Sequence, residues 1–192
     1  MKKITLAIVA LTMAGGLYAQ DSGFSLGVDL AMPVGEFGDF TSFGAGPVLS
    51  IEKEMRIITG LSGASIAPLF MTPKQSDIIK SYMLLPFTAH YKYFFDDVRE
   101  GIYAGLHLGF GLGLVKYKEV TVGGVSIGGK DRDTQGFFIV APTVGYVINE
   151  RIDVGLRFQI MPSLDEAESD LEGNKIKRKP SNFVGLRLAY NI

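Results

Sequence analysis

Between Ile102 and Val115 the chain alternates without a break. Ile102, Ala104, Leu106, Leu108, Phe110, Leu112 and Leu114 fall on one face, and Tyr103, Gly105, His107, Gly109, Gly111 and Gly113 on the other. Successive side chains of a strand point to opposite sides. The segment is therefore a ribbon with one long apolar face and one face of glycine and polar groups. Glycine weakens the interior of a soluble sheet, yet the chain carries 24 glycines in 192 residues. A fold of such ribbons must give the glycines a use and must cover or close every strand edge.

Seven more runs accompany it, six of which follow the same rule. Phe24–Pro33 shows Phe24, Leu26, Val28, Leu30 and Met32 against Ser25, Gly27, Asp29 and Ala31. Gly44–Glu52 shows Ala45, Pro47, Leu49 and Ile51 against Gly46, Ser50 and Glu52. Ile57–Ala67 is mixed on both faces and its register stays open. In Tyr82–Phe94, Met83, Leu85, Phe87, Ala89, Tyr91 and Tyr93 oppose Pro86, Thr88, His90 and Lys92. Phe137–Ile148 is followed, after the turn Asn149–Arg151, by Ile152–Ile160. There Ile152, Val154, Leu156, Phe158 and Ile160 oppose Asp153, Gly155, Arg157 and Gln159. The last run, Asn182–Ile192, sets Val184, Leu186, Leu188, Tyr190 and Ile192 against Phe183, Gly185, Arg187, Ala189 and Asn191.

Eight runs predict an all-β, eight-stranded antiparallel up-and-down barrel, with the last strand closing on Phe24–Pro33 so that neither edge stays free. The connections after runs two, four and six (53–56, 95–101, 149–151) are short, and those after the odd runs are about ten to twenty residues. Short turns at one end and long loops at the other are the pattern of transmembrane barrels, with periplasmic turns and extracellular loops.

The faces decide where the apolar surface points. The interior of an eight-stranded barrel is just wide enough for side chains to fill. Rows such as Leu106, Leu108, Phe110, Leu112 and Leu114, repeated on every strand, do not fit there, whereas glycines beside Tyr103, His107, Arg157 and Arg187 do. The apolar faces are accordingly assigned to lipid. Phe24, Tyr82, Tyr91, Tyr93, Tyr117, Tyr146 and Tyr190 lie near run ends and read as interfacial girdles.

Residues 1–19 stand apart. Lys2 and Lys3 precede a short apolar stretch, Ile4–Met13, and a small residue at Ala19. This reads as a cleaved secretory signal peptide, with residues 20–192 as the barrel domain. Without Lys2 and Lys3 the chain has 17 Lys and Arg against 20 Asp and Glu, a mild acidity that argues against nucleic-acid binding. No cysteine is present for a lipid anchor or a disulfide.

The leader, the segment P-T-V-G-Y-V-I-N-E-R-I-D-V-G-L-R-F (Pro142–Phe158) and the ending L-R-L-A-Y-N-I resemble the outer-membrane β-barrel domain family, which includes small porin-family proteins of Gram-negative bacteria. The resemblance implies an outer-membrane location and a last strand read by the barrel-insertion machinery. Leu186, Leu188 and Tyr190 match that signal, and Ile192 stands where an aromatic residue is usual.

Candidate chemistry is sparse. His90 and His107 fall on inward faces of neighbouring strands, but no third ligand at a recognisable spacing makes them a metal pair. Packing and hydrogen bonding inside the lumen is the preferred reading. Asp96 and Asp97 lie in a short turn, where Asp is common for turn chemistry. The long-loop rim lacks the His that outer-membrane barrel hydrolases and acyltransferases use, so no enzyme is expected and no cofactor is required. Gly123–Gly124 and Gly128–Gly129 lack the phosphate-loop pattern and read as hairpin turns. In the last loop Asp165, Glu166, Glu168, Asp170 and Glu172 precede Lys175, Lys177, Arg178 and Lys179. The cluster has two readings: contact with the cations and phosphates of lipopolysaccharide, or a solvated loop of self-neutralising charge, which is preferred.

The inward polar set is Asp29, Glu52, His90, Lys92, His107, Asp153, Arg157, Gln159 and Arg187. Charges in a narrow interior must be paired or hydrated. Pairing gives a plugged barrel with a structural or loop-mediated recognition role. Hydration gives a narrow small-solute channel. The plugged state is preferred because open porins use about 16–18 strands. Outer-membrane lipid and lipopolysaccharide are the expected partners, and a monomer is the expected state.

Overall fold

The alternating runs pair in sequence order, each antiparallel to the next, and the last returns to the first. The computed structural model describes residues 22–55, 60–74, 79–118, 121–122, 125–126, 132–164, 168–169, 175–176 and 180–192. The leader (1–19) lies outside the described residues. The barrel strands are β1 (Ser22–Pro33), β2 (Thr41–Met55), β3 (Gly60–Ile66), β4 (Leu69–Pro73), β5 (Ile79–Phe94) and β6 (Gly101–Tyr117), followed by β9 (Arg132–Ile148), β10 (Ile152–Gln159) and β13 (Phe183–Asn191). Two small hairpins lie in the long loops, β7 (Thr121–Val122) with β8 (Val125–Ser126), and β11 (Glu168–Ser169) with β12 (Lys175–Ile176). A single-turn helix, α1 (Phe37–Phe40), sits between β1 and β2.

Closure is made by β1 and β13, whose register places Leu26 opposite Tyr190, Asp29 opposite Arg187 and Met32 opposite Val184. Nine strands form the sheet, but β3 and β4 both lie between β2 and β5, so the wall has eight staves.

The third stave corrects the expected strand Ile57–Ala67 and the long connection expected between it and Tyr82. Gly60–Ile66 is one segment and Leu69–Pro73 a second, with Ala67 and Pro68 outside both. Proline has no N–H to give to a ladder and is confined to edges and irregularities. Pro68 interrupts the stave, while the Ala67 N–H still donates to the Pro86 carbonyl at 3.3 Å. The wall dips inward here, and a Cβ built on Gly46 would lie 1.7 Å from the Pro68 carbonyl oxygen. Gly46 is the residue that admits that carbonyl. β2 also runs further than the run read from sequence, from Thr41 through Met55, so residues 53–55 belong to the strand.

The short connection from β9 to β10 depends on left-handed backbone at Asn149 (φ 49°) and Glu150 (φ 59°), closed by the Arg151 N–H donating to the Ile148 carbonyl at 3.0 Å. Asn tolerates that region better than most residues. The strand ends joined by the short connections lie at one end of the barrel, and those joined by the longer ones lie at the other.

Inside and outside separate by alternation. On β6, Phe110 is 60% exposed and Ile102 53%, whereas Tyr103 is 1% and His107 2%. The exposed set also includes Leu26, Val28, Leu49, Ile51, Leu106, Leu108, Val144, Leu156, Phe158, Leu186, Leu188 and Tyr190. The apolar rows thus cover the outer wall, as their bulk required.

Candidate functional site: the barrel interior and its rims

The middle of the interior is a belt of charge. Asp29 on β1 accepts from both neighbouring cations. Its Oδ1 takes Arg187 Nε at 2.9 Å, and its Oδ2 takes a terminal guanidinium nitrogen of Arg157 at 2.7 Å and one of Arg187 at 3.1 Å. Arg187 reaches Asp29 directly because the two face each other across the closing ladder. Arg157 stands opposite Gly185, whose missing side chain leaves room for it, and its guanidinium lies over the Phe183 ring at 5.6 Å.

A second centre forms around Lys92 on β5. Its Nζ donates to Glu52 Oε1 and to Asp153 Oδ2, both at 2.7 Å, and lies 5.1 Å from the Tyr103 ring centroid. The Tyr103 hydroxyl donates to Asp153 Oδ1 at 2.8 Å, and His90 Nε2 donates to Glu52 Oε1 at 2.9 Å. His90 and His107 are direct cross-strand partners with stacked rings, 4.7 Å between centroids. Thr88 links His107 to the wall, through His107 Nδ1 at 3.3 Å and Ser65 Oγ at 2.9 Å. Gln159 Nε2 donates to Met161 Sδ at 2.8 Å. The nine inward residues read from the sequence therefore all face the lumen and are buried. Three carboxylates, Asp29, Glu52 and Asp153, stand against three cations, Lys92, Arg157 and Arg187, as burial of charge demands. Among the described residues three buried atoms have no protein partner: His90 Nδ1, Arg157 Nε and Gln159 Oε1. Among the described residues no three His, Asp or Glu side chains converge as metal ligands.

Two apolar layers flank this belt, and sequence reading missed both. Toward the long loops, Phe37, Leu69, Met71, Tyr82, Leu84, Phe137, Ile139, Met161 and Phe183 form one buried cluster. α1 contributes Phe37, whose ring meets Tyr82 at 5.6 Å. Tyr82, which its place near a run end suggests for an interfacial girdle, is instead 9% exposed and points inward. The reason is register, since Tyr82, Leu84, Pro86 and Thr88 share the inner face of β5. The available signal was apolar character on both faces at the loop ends of strands, as in Phe137-Phe138-Ile139-Val140 and Leu84-Leu85. Toward the short turns, Leu61, Phe94, Tyr103 and Val147 pack together with Val98. Gly145 and Gly155 leave space for Tyr103, whose hydroxyl would lie 2.4 Å and 2.6 Å from a Cβ at those positions.

Outer aromatics gather at the short-turn rim. Phe24, Tyr93, Phe95, Tyr146 and Tyr190 are exposed, and Tyr93 meets Phe95 edge-on at 5.4 Å. A cavity of about 210 Å³ opens at the same rim, lined in part by Ser25, Glu52, Leu61, Arg99 and Arg151. In the last loop, Glu168 and Lys175 fall in the β11–β12 hairpin, and the rest of the charge cluster (165, 166, 170, 172, 177–179) lies outside the described residues.

A closed eight-stave antiparallel wall, apolar outside and charged within, is the architecture of a transmembrane β-barrel. Solved structures share it. The N-terminal β-barrel domain of Pseudomonas aeruginosa OprF superposes with a TM-score of 0.58 at 11% identity, over 90% of this chain and 98% of that one. Ail, the attachment invasion locus protein of Yersinia pestis, solved with the heparin analogue sucrose octasulfate, gives 0.57 at 14% identity, over 89% and 97%. Neisserial surface protein A gives 0.48 at 13% identity, over 88% and 94%. No protein-family model and no curated protein matches the sequence.

Proposed function

We propose that the protein is a non-catalytic outer-membrane barrel, exported by a cleaved leader and inserted as a monomer through the barrel-insertion machinery. Its wall carries exposed loops that do the recognising, and its lumen is plugged. The observation that carries this reading is the layered interior. Three carboxylates and three cations pair in the middle, and an apolar cluster built around Phe137 and Phe183 lies across the loop end. Ions crossing such a lumen would have to break buried pairs and then pass a largely apolar layer, both costly steps. Outer-membrane lipid and lipopolysaccharide are the surrounding partners. The last loop, with Glu168 and Lys175 on its hairpin, is the segment best placed to meet lipopolysaccharide headgroups or a partner surface.

Planar-bilayer recording of the purified protein tests the plugged lumen. The expected result is no steady single-channel conductance. A steady conductance that Arg157→Glu or Arg187→Glu abolishes would overturn the plug and favour a narrow small-solute channel.

A further inference from the structure

At the loop end of the outer wall, three neighbouring strands place hydrogen-bond donors in one row. Ser81 on β5 is the cross-strand partner of Lys116 on β6, and Lys116 is the partner of Arg132 on β9. All three are exposed. They continue the outward faces that carry Met83 and Leu114 below them, since Met83 pairs with Leu114 two residues earlier. Neighbouring strands lie about 4.8 Å apart, so the row spans roughly 10 Å.

Lys116 and Arg132 are like charges placed directly opposite each other, an arrangement that destabilises a ladder on its own. Among the described residues neither side chain has an ion-pair partner. Asp133, beside Arg132, sits opposite Val115 on the other face of the strand. An anion between the two cations would turn repulsion into attraction.

Its height identifies the anion. Leu112 and Leu114 are the last apolar residues of the outward row, and Lys116 stands two residues beyond. At about 3.3 Å per residue that is roughly 7 Å along the strand. The headgroup layer of a bilayer extends roughly 5–7 Å beyond the hydrocarbon on each side. We infer that Ser81, Lys116 and Arg132 form a binding row for the phosphate of a phosphorylated glycolipid in the outer leaflet. Its acyl chains run down over Leu114, Leu112 and Phe110. Arg132 supplies a planar fork for phosphate oxygens, Lys116 a compact charge and Ser81 a neutral hydroxyl donor. This inference rests on the membrane reading above, and it places a lipid on the wall, away from the last loop.

The test is native mass spectrometry of the protein released from detergent with a diphosphorylated glycolipid of the lipid A class, with phosphatidylcholine, or with inorganic phosphate. The wild type is expected to retain the glycolipid and not phosphatidylcholine, and millimolar phosphate is expected not to displace it. Lys116→Gln with Arg132→Gln is expected to lower retention about tenfold or more, since two charge-assisted contacts are lost. Arg132→Lys alone, which keeps the charge and loses the fork, is expected to fall between the wild type and the double variant, and Arg151→Gln, at the opposite rim, is expected to retain all of it. Equal retention by the double variant overturns the site, and displacement by inorganic phosphate reduces it to a general anion patch and also overturns it. Heat-modifiable migration and membrane fractionation of the same proteins report separately on the barrel. A failure of the membrane reading would appear there for every variant, and a failure of the site would not.

Discussion

Asp29→Ala is expected to destabilise the barrel by about 3–5 kcal/mol, the range for breaking a buried pair by removing one partner. The effect belongs at the upper end because the carboxylate serves two cations. Arg187 and Arg157 reach it through three hydrogen bonds of 2.7–3.1 Å, and all three side chains are buried. Removing it strips both guanidiniums of the carboxylate that accepts their hydrogen bonds. The measurement is the urea midpoint of detergent-solubilised protein, read by the shift between heated and unheated migration on gels. The compensating experiment separates charge from packing. Asp29→Leu with Arg157→Met and Arg187→Met removes all three charges, and replacing a buried ionic set with apolar groups of similar size is often neutral or better. The triple variant is expected to recover most of what Asp29→Ala loses. If Asp29→Ala lowers stability by less than about 1 kcal/mol, the belt is hydrated and the pairs are screened as they are at a surface.

Lys92→Met is expected to be nearly as costly, again about 3–5 kcal/mol. The ammonium is the only cation that bridges Glu52 to Asp153, with both contacts at 2.7 Å among the described residues. Without it two carboxylates remain in the same layer. Glu52 keeps His90 and Asp153 keeps the Tyr103 hydroxyl, so partial support survives. That distinguishes this centre from Asp29, where both partners lose their shared acceptor. Adding Asp153→Asn to Lys92→Met is expected to return roughly half of the loss, because one of the two stranded charges disappears. A double-mutant cycle on Lys92 and Asp153 gives the coupling directly. An additive cycle would contradict the pairing.

Much of this arrangement can be read from the chain because alternation is a strict code. Once Leu106, Leu108 and Phe110 are assigned outward, His107 must be inward, and the same logic places Asp29, Glu52, Arg157 and Arg187. Closure also followed from the pattern, since β1 and β13 present matching faces in matching register. Two features resisted that reading. The third stave has apolar and small residues on both faces, so period-two patterning gives no register, and its break comes from Pro68 meeting Gly46 across the ladder, a contact between strands. The loop-end cluster resisted for a related reason. Phe137, Ile139, Leu84 and Phe183 are apolar on the inner face, where the rule assigns polar or small residues. Alternation sorts one face from the other. It does not reveal how the inner face changes character along the barrel axis, because that depends on eight strands meeting at one height. Tyr82 illustrates the point: its position near a run end suggests a girdle, and its partners Phe37 and Leu84 come from the interior layer.

The central claim is that the apolar rows face lipid while the charged belt faces inward. The chain has no cysteine, so single cysteines can be placed along Ile102–Val115, labelled, and reconstituted into bilayers containing a lipid-tethered quencher. The account predicts strict alternation. Labels at positions 104, 106, 108, 110 and 112 should be quenched strongly from within the hydrocarbon, and labels at 103 and 107 weakly or not at all. Quenching with the opposite phase, or equal quenching at both sets, would contradict it.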